Sequence, residues 1–142
     1  LDGYSGVAEV YLELWEMEIR TGQPDMDLAN IDLRSDARNA CKALEKYARV
    51  FPIGQPSFLL CRGLYESLSG RQSQSQRLWK KSFELAKEMG LTYIQGRAQL
   101  EIARHLPSDH PDRDHHIEMA ENCFSQTESL YELERLKEIR RP

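Results

Sequence analysis

The stretch PSFLLCRGLYESLSGRQSQSQRLWKKSFELAKEMG, Pro56 to Gly90, decides the fold. Gly63 and Gly70 stand seven residues apart, Ser75 follows five later, Trp79 four after that, and Ser82 three after Trp79. Residues three and four apart share a helix face, so Ser75, Trp79 and Ser82 form a small-aromatic-small stripe. A glycine inside the preceding apolar run lets another helix come close, and a second glycine suits the turn between them. Phe58, Cys61, Leu64, Tyr65 and Leu68 predict a helix over Ser57 to Ser69. Leu78, Trp79, Ser82, Phe83, Ala86 and Met89 predict a second over Ser73 to Met89, with Gly90 as a left-handed C-terminal cap.

The same periodicity extends to both sides. Tyr4 to Thr21 reads as a helix with Val7, Ala8, Tyr11, Leu14 and Trp15 inward and Gly22 at its end. Gln23 to Arg34, with a proline and alternating aspartates, reads as a loop with at most one helical turn. Ser35 is the expected cap of the next helix, supported by Asp36 at the positive end of its dipole. That helix carries Ala37, Ala40, Cys41, Leu44, Tyr47, Ala48 and Phe51 in register, and Pro52 and Pro56 bracket a short connection. Thr92 to Leu106 is a further helix, stopped by Pro107. Another starts near Asp112 or Asp114 with Ile117, Ala120, Phe124 and Thr127 inward. Leu130 to Arg140 is helical as well, either separate or continuous with its predecessor.

These segments pair into three aligned units. Trp15–Gly22, Gly63–Gly70 and Ala103–His110 share a seven-residue step across the first helix and its turn. Ala40–Leu44–Tyr47, Ser75–Trp79–Ser82 and Ala120–Phe124–Thr127 share a four-then-three step on the second. The rhythm resembles the tetratricopeptide repeat, whose period is about 34 residues. The expectation is an all-α, tetratricopeptide-like helix-turn-helix solenoid of about three helix pairs in one domain over 1–142. Its repeats would cover 4–51, 56–90 and 92–127, with an extra helix at 130–141. Leu130, Leu133, Leu136 and Ile139 on that helix form an apolar stripe, which would fold back on its neighbour or meet another copy.

Composition narrows the function classes. The chain of 142 residues has 19 basic and 23 acidic residues, a formal charge of −4, with both signs interleaved. The basic footprint of a nucleic-acid binder is missing. No apolar run reaches the roughly 18 residues of a membrane span. Three widely spaced cysteines, Cys41, Cys61 and Cys123, fit reduced thiols packed in a cytoplasmic protein. The start at Leu1, without an initiator methionine, points to a segment of a longer polypeptide.

Chemistry-bearing residues are few. His105, Asp109, His110, Asp112, Asp114, His115 and His116 include metal-ligand types, but a break between helices needs such polar residues, and Asp114 can cap the following helix. Neither a metal nor a cofactor is expected. Phosphate-loop, Rossmann and paired Cys-x-x-Cys spacings do not occur. Nothing in the spacing orders Ser73, Ser75, His105 and Cys61 into a nucleophile and base, so no catalytic residue is expected. Trp15 and Trp79, at helical spacing among Leu and Phe, read as core.

GVAEVYLELWE (Gly6 to Glu16), YARVFPIG (Tyr47 to Gly54) and Ala103-Arg104-His105-Leu106 followed by Phe124 carry a further resemblance. They resemble the C-terminal tetratricopeptide-like region of large signalling proteins with an AAA/STAND-type ATPase module. Soluble-type class III adenylyl cyclases, related multidomain kinases and ATPase-bearing transcriptional regulators belong to that group. The resemblance implies a noncatalytic scaffold for protein-protein or intramolecular contacts, with nucleotide chemistry in domains outside this sequence. In tetratricopeptide arrays the first helix of each pair lines a concave groove for partner segments. Alignment puts Glu9, Glu16 and Arg20, then Ser57, Leu60 and Ser67, then Arg97 and Arg104 on that surface. The expected partner is a protein or peptide, or another domain of the same chain, with no nucleic acid and no membrane. A stand-alone adaptor or chaperone binding a peptide is the alternative, and a metal protein or enzyme using the His/Asp cluster the third reading.

Overall fold

The apolar periodicity becomes helix wherever the chain is described. The structure, a computed structural model, describes residues 2–22 and 32–140. Among these residues there are seven α-helices and no strand. They are α1 (Asp2–Thr21), α2 (Leu33–Val50), α3 (Gln55–Leu68), α4 (Gln72–Met89), α5 (Thr92–Arg104), α6 (Arg113–Gln126) and α7 (Leu130–Arg140). Most of the loop expected from Gln23 to Arg34 lies outside the described residues.

Local chemistry sets the helix ends. The cap expected at Ser35 is instead Asp32, whose carboxylate accepts the Ser35 backbone N–H at 3.2 Å, so α2 begins at Leu33. Aspartate and serine cap equally well, and the sequence offers both. Pro52–Gly54 forms a short 3-10 turn, and Pro56 enters the first turn of α3, where its missing N–H costs nothing. Gly90 closes α4 in the left-handed region, at φ 69. Asp112, not Asp114, stands at the N-cap of α6. Between α6 and α7 the break falls at Glu128, a non-glycine residue at φ 54, so α7 is a separate helix.

Three apolar clusters follow one another along the chain. The first joins α1, α2 and α3 around Ala8, Leu12, Trp15, Leu44 and Tyr65. The second joins α3, α4 and α5 around Leu60, Trp79, Ala98 and Ile102. The third joins α5, α6 and α7 around Leu100, Phe124 and Leu136. Each helix thus buries its apolar stripe against its neighbours in sequence. Trp79 is fully buried, and its indole N–H donates to the Leu60 carbonyl at 3.2 Å. A Cβ added to Gly63 would lie 2.3 Å from the indole nitrogen, so only glycine leaves room. Ser82 donates to the Pro56 carbonyl at 2.8 Å, satisfying two buried polar groups at once.

Some inward assignments shift. Val7 is 52% exposed, and Leu12 fills the core position of α1 instead. Phe51 and Met89 are exposed, and Thr127 is the exposed C-cap of α6. Each lies at a helix end or outer face, where one apolar residue has no neighbouring helix to cover it. Leu136 is buried against the third cluster with Leu133 and Ile139 beside it, while Leu130 stays exposed. The last helix therefore folds back on α6.

Candidate functional site

The residues of interest line a trough between α1, α3, α5 and α7. Two arginines of α5 cross it. Arg97 reaches Glu9 of α1 at 2.9 Å, and Arg104 reaches Glu16 of α1 at 2.5 Å. Partners in both bridges are 88 residues apart, and on each helix the two rungs are seven residues, two turns, apart. The rungs therefore form a ladder on one face of each helix, with α1 and α5 in matching register.

Further groups tie the ladder down. Glu101, with only 1% of its side chain exposed, holds Arg104 by a second bridge at 2.9 Å. His105 donates its Nδ1 proton to the Glu101 carbonyl at 2.8 Å, which sets the tautomer, and its ring lies 4.7 Å from that of Trp79. Tyr93 donates to Glu132 of α7 at 2.5 Å and accepts from Arg97 at 3.5 Å. Burial raises the Tyr93 hydroxyl above its ordinary pKa, and the hydrogen bond to Glu132 adds to this. Burial works against the Arg97 charge, but Glu9 and Glu101 overcome it and raise the guanidinium further. The same opposition, with Glu101 and Glu16 prevailing, raises Arg104. The Arg97 Nε–H is buried without a partner.

The ladder divides the trough. Beyond Glu9, toward the start of α5, lies an open compartment of about 610 Å³ between Ser5, Ser57, Leu91 and Tyr93. Beyond Glu16, another of about 360 Å³ lies between α1 and α7, where Glu13, Arg20, Glu134, Arg135 and Glu138 mix both charges. Under the rungs only about 20 Å³ remains, room for about one water.

Of the eight residues the alignment points to, Glu9, Glu16, Arg97 and Arg104 come together, but they pair with one another. Arg20 is exposed on the rim of the second compartment, Ser57 lines the first, and Ser67 lines the small central space. Leu60 does not belong to this surface. It is 1% exposed and packs on Trp79 in the core, because the position three residues before the marker faces inward in each first helix: Leu12 and Leu100, its equivalents, are 2% and 0% exposed. Sequence reasoning passed over Tyr93, Glu101, Glu132 and Arg135. Only Glu101 gave a local sign, a carboxylate three residues before Arg104 on one helix.

The other chemistry-bearing residues are spread out. His116 pairs with Gln99 at 2.5 Å, His110 accepts the Asp112 backbone N–H at 3.1 Å, and His105 belongs to the trough. Among the described residues, no group of three His, Cys, Asp or Glu side chains is placed to hold a metal ion. Burial pushes the Cys41 thiol up to about 12 and raises Cys61 well above its ordinary value. Ser75 donates to the Gln72 carbonyl at 2.7 Å. Among the described residues, no helix is long and apolar enough to cross a membrane. Compared with family models, curated proteins and solved structures, the chain matches none at a significant level.

Proposed function

We propose that this chain is a noncatalytic stack of tetratricopeptide-type helix pairs whose charged trough receives a protein segment, from the same polypeptide or from a partner. The ladder carries this reading. Glu9 and Arg97 are equivalent positions of the first and third pairs, and so are Glu16 and Arg104, aligned on the markers Trp15 and Ala103. Equivalent positions meeting in two successive rungs is what a superhelical stack of like units produces. The two compartments flanking the ladder offer room for extended chain, with mixed charge to set its direction.

The sequence resemblance supports a finer assignment: a regulatory C-terminal segment of a multidomain signalling ATPase or adenylyl cyclase. The test uses the longer polypeptide carrying this segment. Reversing Arg20 and Arg135 on the trough rim to Glu should reproduce the loss of association caused by deleting residues 1–142. Reversing Lys81 on α4, away from the trough, should not. Equal effects of the two reversals would refute the trough as the contact surface. Binding of a separate peptide by the isolated segment, with no contact to other domains, would favour the stand-alone adaptor.

A further inference from the structure

On the side of α1 opposite its core stripe, Val7, Val10, Leu14 and Met17 form a second stripe with spacings of three, four and three, Met17 also bordering the second compartment of the trough and Leu14 touching the first cluster. Val7 is 52%, Val10 55% and Met17 51% exposed, and Leu14 is half-buried. A helix repeating apolar residues this way on its solvent side lacks a neighbour.

The molecule itself shows what covers the equivalent face elsewhere. With Trp15, Gly63 and Ala103 as aligned markers, Val10, Leu14 and Met17 of α1 correspond to Phe58, Arg62 and Tyr65 of α3. In α5 they correspond to Ala98, Ile102 and His105. On α3, Phe58 and Tyr65 pack into the first cluster, and the Tyr65 ring lies 5.5 Å from Trp15. On α5, Ala98 and Ile102 pack into the second cluster, and the His105 ring lies 4.7 Å from Trp79. In both helices these positions dock on the preceding pair.

We infer that the Val10–Leu14–Met17 face of α1 is the docking surface for one more helix hairpin, seated as the α1–α2 pair seats against α3 and the α3–α4 pair against α5. The occupant is a hairpin whose second helix presents small and aromatic residues at four- and three-residue steps, as α4 does with Ser75, Trp79 and Ser82. A second copy stacked head to tail does not fit. The outward side of α7 offers Leu130, Lys137 and Arg140, with Lys137 paired to Glu134 and Arg140 to Glu121, a mostly charged surface without the small and aromatic stripe that α4 presents. The inference rests on the reading of the helices as a stack of equivalent pairs. It concerns a face that borders the trough at Met17 but carries none of the ladder residues.

The test extends the chain with its own hairpin. Residues 55–91 are duplicated and joined to Tyr4, reproducing the Gly90–Leu91 turn ahead of α1. The extended chain should gain helical signal and melt higher than the parent, by on the order of 5 °C. Val10→Asp with Met17→Asp should move the parent's melting temperature by no more than about 2 °C, since both residues are exposed there. The same pair should abolish the gain in the extended chain. If the added hairpin is helical but the two aspartates lower both chains equally, the docking surface is refuted and the stack survives. If the added residues stay non-helical, the equivalence of the pairs fails and the docking with it. If the parent alone sediments as a dimer that the aspartates dissolve, the face belongs to a second copy, which overturns the proposed occupant.

Discussion

Between α3 and α4 the fit is steric. Trp79 lies against the bare backbone of Gly63, two serines flank it on the same stripe, and its indole N–H has a carbonyl partner. Between α1 and α5 the fit is electrostatic, with two long guanidinium side chains spanning the trough to carboxylates. The first joins residues of adjacent helices, Leu60 and Trp79 being 19 apart in sequence, and depends on volume. The second joins residues 88 apart and depends on charge. Volume complementarity closes α3 on α4, while the charges tie α1 to α5. The two should respond differently to truncation, salt and pH.

The largest effect is expected from Trp79→Ala, which removes the side chain filling the second cluster. Truncating a fully buried Trp costs about 3–5 kcal/mol. Chemical denaturation should show this loss unchanged between low and high salt. A melting point like that of the parent would break the steric half of the comparison. Gly63→Ala should follow, at about 1–3 kcal/mol from overpacking, because the indole must move to admit the methyl group. A neutral result in the same denaturation series would mean that the hairpin tolerates a wider separation than its geometry implies.

The ladder should lose less and should respond to salt. Glu9 is partly exposed, so Glu9→Gln is expected to cost about 1–2 kcal/mol, below the loss for fully buried pairs. The cost comes from leaving Arg97 buried beside a neutral group. Arg97→Met in the Glu9→Gln background should return part of it, and a double-mutant cycle reads the coupling directly. A coupling of zero, or one insensitive to salt, would show that the ladder does not hold α1 to α5.

The same contrast explains what could be read in advance. Ser75, Trp79, Ser82, Gly63 and Gly90 announce the hairpin because their partners lie within one repeat and helical spacing places them. Helix existence was therefore legible, while ends were less so, since Asp32 competes with Ser35 and Glu128 breaks a helix without a glycine. In the trough, alignment brought Glu9, Glu16, Arg97 and Arg104 to one surface. Nothing local said that they would face each other, since that depends on how the three helices between α1 and α5 bring those two together. Leu60 was misplaced for a simpler reason: Leu12, Leu60 and Leu100 hold the same position before their markers, and all three are buried. Tyr93 and Glu132 meet only because α7 folds back, and no spacing within either helix signals that.

Alkaline titration sharpens the comparison from the core side. Burial raises the Cys41 thiol from 9.0 to about 12, so the folded state keeps a proton that the unfolded state releases first. Its contribution is complete below about pH 9 and is lost as pH rises toward 12, because the native state binds more protons in that window. Stability measured by denaturation from pH 8 to 11 should therefore fall, and fall less steeply in Cys41→Ala. Cys61 and Tyr93 are raised as well and keep the slope from vanishing. Identical slopes in parent and variant would contradict the buried neutral thiol.

The smallest expected effect lies on the far side of α5, in neither the hairpin nor the trough. There His116 donates through Nδ1 to the Gln99 amide oxygen. Burial lowers its pKa below 6.5, and neighbouring His115 lowers it further against the opposite pull of Asp112, with Lys80 and His110 adding smaller repulsions. The unfolded imidazole takes up its proton first as pH falls, so the unfolded state binds more protons just below pH 6.5. His116 thus stabilises the fold fully above that value and less as pH falls through its folded pKa. His116→Gln should flatten the acid limb slightly while leaving stability near pH 8 within about 0.5 kcal/mol. The imidazole proton resonances of His116 should titrate with a midpoint below 6.5 in the folded protein. A midpoint above that value would mean that carboxylates, not burial, govern this side of α5. The division between steric hairpins and a charged trough would then have to extend to a second ionic seam.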